Sequence, residues 1–507
     1  MAAPTHFFKT ILNAIQTLAA NPVSKRKYSA GAARAASSDL FTRISPIGDP
    51  ETSLAPVLDQ WVEEGRKFRD SELQRIARKL RSWRRHGQAL EVLEWMVGRG
   101  VAPLSQSDHA VQLDLIGKVR GLEFAEGYFT SLDETEKTQK MYGALLNCYI
   151  RQVQVTKSLS LWDKMQELGF DNSTLNYNEI MTLYLKTGLP EKVSGLLSEM
   201  KDKGISPDCV SYRICMTAYA AMSQLDKVQQ MLQEMEEEQQ QPLISIDWLT
   251  YSTVAGIYIK AGLREASLEC LRKCEERVMK NADGFNHLIS HHANLGNKDE
   301  VLRLWGVAKA KFSKRHNRDY LNMMGSLVKL GELEEAEILL EEWDSACEFY
   351  DARVPNALLI GCCQKGLVEK AELLLRDRIG RGKAAIPNSW AIIAAGYVEK
   401  EGNMEKGFEA MREALAIRTN NIWWRPKPVL MSRMLRWAGE NIGAEEVESF
   451  VGSVLQTKVP KDREFYNTLL HVYVRNGKEV GWILEGMKAD GIDGDEATGE
   501  ILSSVKQ

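Results

Sequence analysis

Apolar positions in residues 174–208 recur every three to four residues, then break, then recur again. The pattern predicts two short amphipathic helices joined by a turn. Tyr177 and Tyr184 lie seven apart, so two helical turns bring them to one face. Lys186 closes the first helix, and Thr187-Gly188 ends it, because glycine accepts the left-handed conformation of a helix stop. Pro190 suits the first turn of the second helix, whose apolar stripe is Val193, Leu196, Leu197 and Met200. Lys203-Gly204 stops it, and Ser206-Pro207-Asp208 turns the chain. One such hairpin cannot bury its own apolar face, so copies are required on both sides.

The copies are present. Tyr212, Tyr219 and Met235 repeat the offsets of Tyr177, Tyr184 and Met200, as do Tyr142, Tyr149 and Met165 upstream. Tyr251, Tyr258 and Gly262 follow downstream. Laying the pitch along the chain gives an all-α array over 73–495, with units beginning near 73, 106, 139, 174, 209, 248, 282, 317, 352, 387, 429 and 463. Units 209–247 and 387–428 are lengthened by EEEQQQPLIS and TNNIWWRPKP, insertions expected at turns between helices. Residues 496–507 read as a truncated capping helix.

Before this array, residues 1–28 carry Lys9, Lys25, Arg26 and Lys27 without an acid, an apolar helical stripe, and abundant Ala and Ser. That is the composition of an organellar presequence. Arg26-Lys27-Tyr28-Ser29 resembles a mitochondrial cleavage site, with a chloroplast address as the alternative. Residues 29–72 form a linker with N-terminal helices, including 54–65. Residues 66–87 hold nine cations against Asp70 and Glu72 and predict a basic helix, with Ser71 as its N-cap and Gly87 as its stop. Two readings apply to it: cations complementing a helix C-terminus, or a phosphate-binding surface.

The whole chain has net charge −4. Losing the leader leaves 61 Lys+Arg against 69 Asp+Glu, so a globally basic nucleic-acid coat is excluded, and any polyanion must meet local basic surface. No run of 18 apolar residues predicts a membrane-spanning helix. The eight cysteines contain no CxxC pair and read as reduced packing thiols.

The recurring pattern, Tyr-Asn or its equivalent near the start of each unit, then Tyr-x-Lys-x-Gly, Met and a terminal Pro-Asp, resembles the pentatricopeptide repeat (PPR). PVLDQWVEEGRK and TQKMYGALLNCYI resemble its plain, organelle-targeted plant class. The resemblance implies a right-handed superhelical α-solenoid of repeats of about 35 residues that binds single-stranded RNA, about one base per repeat. In that family the base is selected by the residue after the first aromatic and by the last residue of the repeat, while apolar residues of adjacent repeats sandwich it.

Carried over, this assigns base selection to Asn178 with Asp208, to Ser252 with Asn281, and to Asn467 with Asp493 or Asp495. Leu175, Val210 and Leu249 are the candidate sandwiching residues. Other pairs, such as Arg213/Asp247 and Leu321/Asp351, are not readable, and Asp283 and Arg318 are poor stacking surfaces. Arg151, Lys186, Lys260, Lys329 and Arg475 share a slot two residues before the stop. They read as a ladder along a phosphate backbone or as complements of the helix dipole.

Catalytic constellations are absent from this reading. His287 and His291 are four apart, but no HExxH pattern surrounds them, and there is no phosphate loop, nucleophile elbow or zinc-ligand tail. No cofactor and no enzymatic activity are expected. The first functional expectation is a monomeric RNA-binding adaptor acting on organellar transcripts, in stability, processing or translation. The alternative is an interaction solenoid attached to the mitochondrial ribosome or to other proteins, with little base reading.

Overall fold

The computed structural model describes residues 39–47, 52–68, 71–101, 103–238, 245–278, 281–347, 349–417, 424–457 and 461–503. The presequence expected over 1–28 lies outside them. The described residues are all-α, with one 3-10 turn at Pro190–Lys192 and one π turn at Tyr397–Glu401, and contain no strand. Hairpins follow one another, each with a first (A) and second (B) helix, as in Gln139–Arg151 with Val155–Glu167 and Trp248–Lys260 with Arg264–Val278. The chain divides into two compact units, residues 1–189 with 199–205, and residues 190–198 with 206–507. No helix is long and apolar enough to cross a membrane, among the described residues.

The exits of the A helices are built alike. Gly188, Gly262, Gly296, Gly331, Gly366 and Gly477 all stand at φ between 63° and 84°. The N–H two residues past the last helical turn returns to a carbonyl five residues earlier, as Leu189 to Tyr184 at 2.9 Å and Leu263 to Tyr258 at 2.9 Å. This six-to-one bond satisfies carbonyls the helix end would leave orphaned. Arg84, Val153 and Ser223 occupy the same slot with φ of 61°, 56° and 58°. A side chain there costs about 1–2 kcal/mol.

In the first unit the short helices Leu40–Ile44 and Ala55–Glu63 close the core with Leu40, Leu58 and Trp61 against Leu73, Leu90 and Leu93. The Glu91 carboxylate accepts the Leu54 N–H at 2.8 Å and so caps the helix that begins at Ala55. The basic stretch is shorter than the sequence pattern predicts. Its helix is Glu72–Ser82, Ser71 is itself left-handed and makes no side-chain cap bond, and Gly87 lies inside the next helix, His86–Gly98. The stop is Trp83-Arg84, which carries the Schellman bond from Arg85 N–H to Leu80 carbonyl at 3.0 Å.

Tyrosine rings of the A helices are buried and tethered by acids of B helices. Tyr177 reaches Glu199 at 2.9 Å, Tyr251 reaches Glu236 at 2.9 Å, and Tyr466 reaches Asp490 at 2.5 Å. Burial, reinforced by the nearby carboxylates, pushes the Tyr177 and Tyr466 phenols up to about 12, so they remain donors at any physiological pH. Trp343 is fully buried in the second unit, with its indole N–H on Asn317 at 2.8 Å. All eight cysteines are free, and burial pushes the Cys270 and Cys274 thiols up to about 12, which suits packing thiols.

Successive A helices of the second unit approach closely where one carries glycine. At Gly361 a β-carbon would stand 2.7 Å from a Val328 methyl of the preceding A helix. At Gly256 it would stand 3.1 Å from the His291 ring. That ring is half-buried and shares its helix with the exposed His287 and the buried His292. The Ser252 hydroxyl lies 3.1 Å from His287 Nδ1 and 3.1 Å from His291 Nε2. A hydroxyl has one proton, so it donates to one ring and accepts from the other. Burial, with the neighbouring imidazoles, lowers His291 to about 4. His287 and His292 are also lowered, burial being the largest cause in each.

Two expectations follow from this packing. Gly361→Ala should lower the melting temperature, because overpacking of about 1–3 kcal/mol outweighs the roughly 1 kcal/mol helix-propensity gain. Val328→Ala in the same chain should recover much of that loss, and strictly additive shifts would contradict the contact. A histidine kept neutral in the folded chain binds fewer protons there than when unfolded. Its contribution is therefore complete above about pH 6.5 and lost as pH falls toward 4, with a slope of about 1.4 kcal/mol per pH unit between. His291→Gln should flatten the melting temperature against pH in that window, and an unchanged slope would show that His291 does not titrate this way.

Candidate nucleic-acid interface

The residues that end the repeats fold as N-caps of the next A helix. Asp208 accepts the Ser211 N–H at 2.9 Å, Asp247 the Thr250 N–H at 2.8 Å, Asn281 the Asp283 N–H at 2.9 Å, and Asp462 the Phe465 N–H at 2.9 Å. A cap uses one side-chain oxygen. At these four helices the other polar atom of the Asp or Asn is held beside the start of the A helix, where that of Asp247 accepts from Arg213 at 2.9 Å.

The candidate base-selecting residues have unequal surroundings. Asn178 is buried in the A helix Thr174–Lys186 of the first unit, and Asp208 is an exposed cap in the second unit. Leu175 is 64% exposed and Val210 40%, as are other aliphatic side chains of the helices, such as Ile338 at 70% and Leu373 at 67%. Ser252 is engaged by His287 and His291, while Asn281 caps its helix, and Leu249 is half-buried. The Asn467 amide donates to Asp495 at 3.2 Å and accepts from the Thr498 hydroxyl at 2.7 Å. The cap of the last helix is thus Asp495, whereas Asp493 offers only its carbonyl, to Arg463 at 3.0 Å.

Elsewhere in the second unit the same positions are closed by ion pairs. Arg213 bonds Asp247 at 2.9 Å, Arg318 pairs with Asp283, and Arg353 with Asp351 at 2.6 Å. Between the helices Ala282–Asn294 and Asn317–Leu330 lies a polar groove of about 390 Å³, floored by His287, Ser290, His291 and Asn322. Among the described residues no group of three or more His, Cys, Asp or Glu side chains is placed to hold a metal ion.

The cation slot reaches backward along the array. Arg151 bonds Asp114 at 3.2 Å, Lys186 the Ile150 carbonyl at 3.4 Å, Lys329 the Asn294 amide oxygen, and Arg475 lies 3.6 Å from Glu440. Lys260 is exposed. Asp114, a residue the sequence reading passed over, is the acid that most depends on these cations. It is buried and accepts from Arg81 at 2.8 Å and Lys118 at 2.7 Å as well as from Arg151. Burial alone would raise its carboxyl, yet the hydrogen bonds from Lys118 and Arg81 hold it below its ordinary value. The signal that could have found it is an acid in one A helix standing 33 to 37 residues from Arg81 and Arg151.

Comparison with known proteins places this architecture. Residues 172–221 match the model of the PPR repeat family, and residues 140–170, 210–239, 319–346 and 354–377 match that of the PPR repeat. A mitochondrial pentatricopeptide repeat-containing protein of Arabidopsis thaliana is 43% identical over 97% of this chain and 99% of its own length. The large ribosomal subunit protein mL101 (rPPR4) of the same plant is 38% identical over 92% of this chain and 95% of its own. Among solved structures, the pentatricopeptide repeat protein PPR10 in complex with an 18-nt psaJ RNA element aligns over 92% of this chain and 70% of its own, with 16% identity and a TM-score of 0.42. With relatives this similar along nearly their whole length, the chain belongs to the pentatricopeptide repeat family.

Proposed function

We propose that the chain is a non-catalytic RNA-binding adaptor of the mitochondrion. It takes a single RNA strand along its A helices and acts in transcript stability, processing or translation. The observation that carries this reading is a recurring capping arrangement: Asp208, Asp247, Asn281 and Asp462 each set a hydrogen-bonding side chain at the start of an A helix, and Asp495 does so at the last helix. A repeated polar group suits one base per repeat. Mitochondrial relatives at 43% and 33% identity support the compartment, in keeping with the basic, acid-free leader.

Base selection is assigned to Asn178, Asp208, Ser252, Asn281 and Asn467, with stacking by Leu175, Val210 and Leu249. Phosphate contact falls to Lys260 and, once they release their internal partners, to Arg151, Lys186, Lys329 and Arg475. The closed pairs Arg213–Asp247 and Arg318–Asp283 favour a short readable stretch over a long footprint.

A second reading, an interaction solenoid of the mitochondrial ribosome, is favoured by the 38% identity to mL101. Sedimentation of organelle extract in gentle salt separates the two: comigration with the large subunit supports it, and exclusive migration as a small particle opposes it.

Asp208→Asn tests base reading without disturbing the cap, since both residues cap equally well. The melting temperature should stay unchanged while the sequences retained from a single-stranded RNA pool change at one position, by about 1–3 kcal/mol of discrimination. Weak, equal retention of all sequences by both proteins would sink base reading.

A further inference from the structure

The cations of the basic stretch in the first unit divide by what they do. Arg85 is structural: burial lowers its pKa, and its guanidinium holds the Ser45 carbonyl at 3.2 Å and Gln88 at 2.5 Å. Arg81 serves Asp114 at 2.8 Å. Arg75, Lys79 and Arg84 are exposed and form no ion pair with an acid, among the described residues. Arg78 lies on the same face, 53% exposed, with one bond to Asp108 at 2.6 Å. On helix Glu72–Ser82, positions 75, 78 and 79 are neighbours at i, i+3 and i+4, opposite the buried Leu73, Ile76, Ala77 and Leu80. Arg84 follows in the left-handed slot that most repeats fill with glycine. Backbone strain is therefore borne at the position that projects this cation.

Besides an acidic protein, which binding to polyglutamate would reveal, three ligand classes carry the complementary charge. A membrane surface would need an apolar face beside the cations, and the apolar face of this helix is buried in the core. Unpaired bases would need stacking platforms. The exposed aromatic beside these cations, Trp83 at 43%, is already met by Phe41 at 5.4 Å, by Lys79 at 5.4 Å and by Arg85 at 6.0 Å. What remains is a surface that offers phosphates with its bases turned inward.

We propose that Arg75, Lys79 and Arg84, flanked by Arg78, form a second RNA site that binds the phosphate backbone of double-helical RNA. It is separate from the base-reading residues and does not depend on them. Recognition here is by charge and shape, without base contacts. A chain of net charge −4 thus meets RNA through a local cluster of uncompensated cations.

The test uses the full chain, a blunt RNA duplex of arbitrary sequence and one of its separated strands, with anisotropy measured across a salt series. The wild-type protein should bind the duplex, and the slope of log affinity against log salt should fall by roughly one for each cation removed. The Arg75→Gln, Lys79→Gln, Arg84→Gly variant should lose about tenfold or more at low salt. Arg84→Gly alone should melt at or above the wild-type temperature, because glycine takes this φ without strain, and yet bind the duplex less well. A structural role for Arg84 would move stability and leave the duplex affinity alone. An unchanged slope in the triple variant overturns the site, as does equal loss on polyglutamate, which would mark an acidic protein as the partner. Single-strand selection that survives while duplex binding is absent from the wild type would overturn this site and leave base reading standing.

Discussion

A helical hairpin of some 30 residues has two apolar flanks and no means of covering either. Short helices are marginal in water without a packing partner, so each pair is held by the pairs on either side. The tyrosines show the constraint most directly. Tyr251 is about 1% exposed and returns its hydroxyl to Glu236 of the preceding B helix, whereas Tyr177, also buried, reaches forward to Glu199 in its own hairpin. Ring burial supplies about 1.5–3 kcal/mol per residue, and the phenol satisfies the one polar atom that burial would strand. Removing the neighbour would undo both gains at once.

The same need for joints competes with ligand binding on the A helices. Arg151, Lys329 and Arg475 point back toward the preceding A helix instead of standing free. Asp114 gathers three cations because a buried carboxylate is tolerable only with partners, and stranding it would cost several kcal/mol. Internal pairing lowers the charge available to a ligand without removing it, since exposed pairs are worth about 1 kcal/mol or less and exchange readily for phosphates.

The repeat was legible because its signal is periodic. Tyr177 and Tyr184, the glycine at 188 and the apolar stripe are local events, and their recurrence fixes the helices within a few residues. The misreadings lie where an end depends on distant contacts. Ser71 looks like a cap in sequence, but its backbone is left-handed, and the basic helix ends at Trp83-Arg84 because the Schellman bond forms there despite the absent glycine. The site was less legible. That Ser252 would be taken by two imidazoles of the next hairpin depends on the clearance at Gly256, which no local pattern announces. The closure of Arg213 with Asp247 into a salt bridge is a matter of side-chain reach, which the sequence does not state. That Asp495 and not Asp493 caps the final helix depends on which carboxylate its first N–H groups reach.

The double duty of the repeat-ending residue has a consequence for how such a protein changes over generations. Seven A helices open on Ser105, Thr138, Ser173, Asp208, Asp247, Asn281 and Asp462, from the small set of good caps, whereas four open on His316, Ala352, Ile386 and Lys427. Drift among Ser, Thr, Asn and Asp leaves the fold nearly untouched while altering which hydrogen-bonding group faces outward. Any other residue loses about 1 kcal/mol of scaffold stability first. At the bonded caps, such as Asp208 and Asp247, helix chemistry therefore limits the outward-facing group to a few stability-neutral choices, while His316, Ile386 and Lys427 open helices free of that limit.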